Sequence, residues 1–181
     1  MIDSIVYTIG HSTKTFEQFV KMIKDFGVES IVDIRTVPRS RTNPKYNIDT
    51  LPNLLTECGV SHYRIAQLGG LRKKSNTVPV EVNSFWENRS FHNYADYALS
   101  AQFEIGLNQL LVICETKCCA IMCAEAVWWR CHRRIVADYL LTRDVEVAHI
   151  MGQNKMNKAV LNPAAVIREG KLNYPASVHQ D

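Results

Sequence analysis

Residues Ser4–Arg35, SIVYTIGHSTKTFEQFVKMIKDFGVESIVDIR, decide how the chain reads. Ser4 to Ile9 is a short apolar run rich in branched side chains, which predicts a buried strand. Gly10-His11-Ser12 makes the turn. Thr15 and Gln18 have the spacing of a capping box, and Phe16, Phe19, Val20, Ile23 and Phe26 follow at helical spacing. Gly27 suits the position just past a helix end. Ser30 to Arg35 then reads as a second strand. Strand, helix and strand within about thirty residues form a βαβ unit, whose strands run parallel.

Outward from this unit the pattern repeats. A helix is expected from Thr50 to Cys58, stopped by Gly59, and a strand over His62–Ala66. Residues 71–90 read as irregular. Helices are expected near Tyr94–Ala101 and Phe103–Glu115. Cys118–Ala124 is the most apolar strand. Trp128, Ile135, Val136, Tyr139 and Leu140 make a helical stripe, and Glu146–Met151 reads as a fifth strand. The tail from Gly152 has weak periodicity and is read as packed loops. Alternating strands and helices predict one α/β domain over residues 1–181. Its core spans about 1–151, with a mostly parallel sheet of about five strands flanked by helices.

The composition fits a globular chain: 181 residues, 46% hydrophobic, 22% charged, net charge +3. No apolar run is long enough for a bilayer. The opening MIDSIVYTIG carries an acid and no basic region, unlike a secretory signal. The expectation is a cytoplasmic protein with no membrane partner. Five of the six cysteines fall between 114 and 131. A secreted disulfide scaffold spreads its cysteines along a shorter chain, so these are read as reduced thiols. Packing alone explains most free cysteines, and that reading suffices for Cys58, Cys114, Cys118 and Cys119.

The densest chemistry is MCAEAVWWRCHRR at 122–134, where a strand hands over to a helix. It carries Cys123, Glu125, Cys131, His132 and Arg133. In open parallel sheets ligands bind beyond the C-terminal strand ends. That rule gathers His11, Arg35, Cys123, Glu125 and His149 on one rim. Cys131 is expected in the first turn of the following helix, where the dipole and unpaired N–H groups favour a thiolate. Arg35, Arg39, Arg41 and Lys45 occur with no acid between Asp33 and Asp49, a patch suited to anions. Each residue also has a structural reading: packing cysteines, a hydrogen-bonded core histidine, an Asp33–Arg35 ion pair, a tryptophan laid on the sheet. A thiol-phosphatase loop is rejected, because Trp129 stands six places after Cys123 where that loop needs arginine, and no glycine is present. Zinc is the weaker alternative for Cys123, Cys131, His132 and Glu125, since adjacent Cys131 and His132 point apart on a helix.

YTIGHS, SIVDIRTVPRSRTNP, LGG at 68–70, FHNYADY at 91–97, MCAEAVWWRCHRRIVADYL and the closing VAHI resemble, in order, the bacterial and archaeal domain-of-unknown-function family 488. The signature Cys-Ala-Glu, then Cys-His-Arg, with seven residues between the two cysteines, carries most of that resemblance. It implies a shared site without naming a reaction.

The residues are read as those of a thiol-dependent enzyme acting on an anionic substrate such as a nucleotide or nucleic acid. Cys123 is its nucleophile and Cys131 its second thiol. His132 or Glu125 moves protons, Arg35, Arg39, Arg41 and Arg133 hold the anion, and His11 completes the rim. No cofactor is expected. The alternatives are a non-catalytic nucleic-acid binder using the 35–45 loop, and a metal-binding protein. Oligomeric state is not legible.

Overall fold

The computed structural model describes residues 5–177. Ser4, the expected start of the first strand, and the last four residues of the tail lie outside them. The opening unit forms as read: β1 (Val6–Gly10), α1 (Phe16–Asp25) and β2 (Ser30–Asp33). Thr15 and Gln18 close the capping box, at 3.1 and 3.0 Å, and Gly27 takes φ +71° just past the helix. β2 stops two residues early because the Arg35 backbone N–H turns back to the Asp33 carboxylate at 3.1 Å.

Next come α2 (Leu51–Glu57), β3 (Ser61–Arg64), α3 (Arg89–Tyr97), α4 (Ala101–Thr116) and β4 (Cys119–Cys123). α3 begins five residues before its expected start. Asn88 caps it, accepting from the Ser90 and Phe91 N–H groups. α5 (Arg133–Leu141) and β5 (Val147–Gly152) follow. The tail, read as loops, also forms strands: β6 (Lys155–Lys158) and the hairpin β7 (Val166–Arg168) with β8 (Lys171–Asn173). β6 is exposed along its length and so carries no alternation that a sequence could show.

The main sheet has six strands in the order β3-β2-β4-β1-β5-β6. The five expected strands run parallel, and β6 adds an antiparallel edge. Helices cover both faces. Phe19 and Ile23 of α1 and Leu51 and Leu55 of α2 bury against Ile9, Ile31, Ala120 and Met122. Phe103 and Leu107 of α4 and Ile135 and Tyr139 of α5 bury against Val32, Ile121 and Cys123. The chain therefore leaves β1 and β2 toward one face and leaves the neighbouring β4 toward the other. Such a divergence opens a crevice at the C-terminal strand ends. No described helix is long and apolar enough to cross a membrane.

Candidate functional site

Cys123 is the last residue of β4 and sits opposite Gly10 of β1. The two strands are far apart in sequence, yet the His11 N–H bonds the Cys123 carbonyl at 2.9 Å. The loop after β4 crosses directly over β1. A Cβ on Gly10 would lie 1.7 Å from the Glu125 carbonyl oxygen, so only glycine fits there. Gly70 plays a similar part, since a Cβ there would lie 2.5 Å from His132 Nδ1.

After a short turn at Trp128–Arg130 the chain returns Cys131 to Cys123, with Sγ atoms 2.7 Å apart. Cys131 is not in the helix as expected. It lies in extended backbone two residues before α5, and its sulfur accepts the Arg133 N–H at 3.4 Å. Burial pushes the Cys131 thiol well up, and the neighbouring Cys123 adds to that. The dipole argument therefore fails for Cys131, because desolvation outweighs it. For Cys123 burial also opposes ionisation. The hydrogen bond from Cys131, the Arg133 charge and the Glu125 backbone outweigh it and hold Cys123 below the usual thiol range. Of the pair, Cys123 is thus the thiol biased toward the thiolate and Cys131 the one biased toward keeping its proton.

His132 directs Nε2 at the Ile34 carbonyl, 3.0 Å away. A carbonyl requires a donor there, so Nδ1 is the free acceptor, and it faces Cys131 Sγ at 3.6 Å. Burial lowers the pKa of His132 to about 4, leaving it neutral at pH 7. His11 is buried too. It stacks on Tyr46 at 4.3 Å, and burial lowers its pKa to about 4. Its Nδ1 donates to the Ser12 carbonyl, so Nε2 accepts from Arg35 Nη1 at 3.3 Å. His11 supports the rim from beneath and is not part of the cleft wall.

The expected arginines separate into three environments. Arg35 lines the cleft, but Asp33 binds its Nε at 2.9 Å and Nη2 at 2.6 Å, and the Tyr46 carbonyl takes Nη2 at 2.7 Å. Burial opposes the Asp33 charge, and its bonds to His62 and Arg35 more than restore it. Arg39 is exposed, pairs with Asp49 at 3.6 Å and lies outside the cleft wall, as does exposed Arg41. Arg133 is 1% exposed, beneath the cleft. Arg130, which the sequence reading did not single out, also lines the cleft, and it is exposed and makes no ion pair among the described residues. His149 turns away from the rim to stack on Trp128 at 4.5 Å.

Together these elements enclose a cleft of about 390 Å³. Cys123, Cys131, His132 and Glu125 form one side. Thr36, Asn88 and Ser90 offer polar groups, and Val37, Leu71 and Phe91 an apolar lip. The polar and apolar lip residues carried no chemical signature that a sequence could reveal. Asn88 was legible as a helix cap and was missed. Among the described residues no three His, Cys, Asp or Glu side chains converge to hold a metal ion.

Residues 15–140 match the family model described as a domain of unknown function, DUF488. The chain belongs to that family, and the matched span contains both thiols, His132 and Arg133. Neither a curated protein nor a solved structure matches the chain.

Proposed function

We propose that the chain is a thiol-dependent enzyme whose nucleophile is Cys123 and whose substrate is a nucleotide-sized anion, free or within a nucleic acid. The contact between Cys123 and Cys131 inside the cleft carries this reading. A buried thiol needs a reason to ionise, and here a second thiol donates to it. Cys131 keeps the thiolate hydrogen-bonded until substrate arrives. The Cys123 sulfur then forms a bond to the electrophilic atom as that atom's bond to its leaving group breaks. His132 is neutral, with Nδ1 free to take the Cys131 proton when that thiol is needed as an anion. Glu125 stands exposed at the rim, where it can exchange protons with water and the leaving group.

The substrate class follows from the walls. The volume lies in the range of small-molecule pockets. Arg130 supplies a cation within reach of solvent, Asn88 and Ser90 supply hydrogen bonds, and Phe91 and Leu71 supply surface for an apolar ring.

The test uses panels of ribonucleotides and short single-stranded oligonucleotides, with binding and turnover followed for wild type, Cys123→Ser and Cys131→Ser. Expected is turnover of one class by wild type, lost in Cys123→Ser while binding persists. A second reading rests on the exposed Trp129 and the exposed Arg39 and Arg41, which suit a nucleic-acid surface. It predicts salt-dependent affinity unchanged by alkylating both thiols, with no turnover. That result would replace the enzyme reading.

A further inference from the structure

Arg133 is the largest fully buried side chain, and its Nε and Nη1 have no hydrogen-bond partner. It makes no ion pair among the described residues. A buried guanidinium without an anion is among the most unfavourable arrangements a core can hold. The surroundings show which anion is available. The guanidinium lies beside Gly10, where a Cβ would sit 2.8 Å from Nη1, and Gly10 is the strand partner of Cys123. Titratable groups that feel its charge come from several elements around it. Lys14 lies before α1, Cys123 ends β4, Cys131 and His132 precede α5, and His149 belongs to β5. Three of these five are bases, which cannot become negative. The two thiols alone can.

We propose that Arg133 is the internal counter-ion of Cys123, a positioning residue that keeps the nucleophile ionised without touching substrate. This assignment differs from the anion-holding role expected from sequence and leaves the substrate charge to Arg130. It rests on Cys123 being the reactive thiol but not on any substrate. The geometry carries a consequence for the resting state. A thiolate on the reduced pair offsets the Arg133 charge, whereas a Cys123–Cys131 disulfide would remove that anion. The reduced form is thus the electrostatically preferred one.

The experiment is a pH titration of thiolate absorbance near 240 nm, assigned by the difference from Cys123→Ser, for wild type, Arg133→Lys and Arg133→Gln. Arg133→Gln should raise the apparent pKa of Cys123 by about one unit or more, a tenfold loss of thiolate at pH 7. Arg133→Lys should recover part of that shift, which a purely structural role would not. Identical titrations in all three proteins overturn the proposal. If the variants do not fold, wild type and Cys123→Ser are compared in urea from pH 6 to 9. A thiol with a lowered folded pKa contributes stability above its unfolded pKa and loses it as pH falls. The wild-type advantage should therefore widen with rising pH, and a constant gap overturns the proposal. Should Cys123 titrate as expected while Cys123→Ser still turns substrate over, Cys123 is not the nucleophile, and Arg133 stands only as the counter-ion of an ionised thiol.

Discussion

Two pairs of buried thiols sit at opposite ends of one strand. Cys114 and Cys119 lie in one buried cluster where the chain enters β4, and Cys123 and Cys131 meet sulfur to sulfur where it leaves. Each pair divides in the same way. Cys119 is held below the ordinary thiol range, chiefly by the neighbouring Cys114 thiol, as Cys123 is held by Cys131 despite burial. The partner rises in both cases, Cys114 through the neighbouring Cys119 thiol and then burial, Cys131 chiefly through burial. A lowered thiol therefore does not identify a site. What separates the two ends is the sheet. At the exit end the connections diverge, a cleft opens, and an unpaired guanidinium lies beneath it. Neither Cys114 nor Cys119 belongs to that cleft wall. The entry end is packing, with the Cys119 thiol bonded to the Lys117 carbonyl at 3.3 Å, and the exit end is a candidate site.

The largest effect should come from the backbone crossing that builds the exit end. Gly10→Ala drives a methyl group into the Glu125 carbonyl, which cannot rotate aside. A loss of at least about 3 kcal/mol is expected in urea unfolding. An unchanged midpoint would mean that the loop over β1 is free to move, and the comparison would lose its rigid half.

Acid should weaken the exit end next. His11 and His132 are each held to about 4 by burial, below the ordinary 6.5. A base with a lowered folded pKa contributes stability above pH 6.5 and loses it as pH falls toward 4. For His132 the loss between pH 7 and 4.5 is on the order of 2–3 kcal/mol. Unfolding of His132→Gln should show a flatter pH dependence than wild type. Equal slopes would remove His132 from the account.

Thiol labelling then compares the ends directly. Iodoacetamide at pH 7, with sites resolved by mass spectrometry, should modify Cys123 at least about tenfold faster than Cys119. Equal rates, or resistance of both until unfolding, would make the two pairs equivalent and end the nucleophile reading.

The smallest effect concerns charge at the mouth. Arg130→Ala should weaken AMP binding about fivefold at low salt, and Arg39→Ala, already paired with Asp49 outside the wall, less than about twofold. A reversed order would move the anion site onto the exposed 35–45 loop.

The βαβ opening was legible because its signals are local. Thr15 and Gln18 cap a helix three residues apart, and Phe19 and Ile23 line its buried face one turn apart. The rim was legible in part, since strand ends and the Cys123 turn could be placed without knowing which strands touch. The role of Arg133 was not legible. An arginine beside a reactive cysteine reads as a substrate clamp, and nothing local says that it will be enclosed. The helical position expected for Cys131 failed because Trp128–Arg130 forms its own turn and delays the helix by two residues.

By itself the sequence determined the five parallel strands, the helices between them and the inventory of reactive groups, because period, caps and turns act over a few residues. Tertiary structure decided which groups meet. Placing β4 beside β1 brings Cys123 to Gly10 and His11 across more than a hundred residues of chain. It also buries Arg133 and sets which of two neighbouring thiols ionises more readily. These outcomes depend on strand pairing and desolvation, which are set by neighbours distant in sequence and leave no mark on the local pattern.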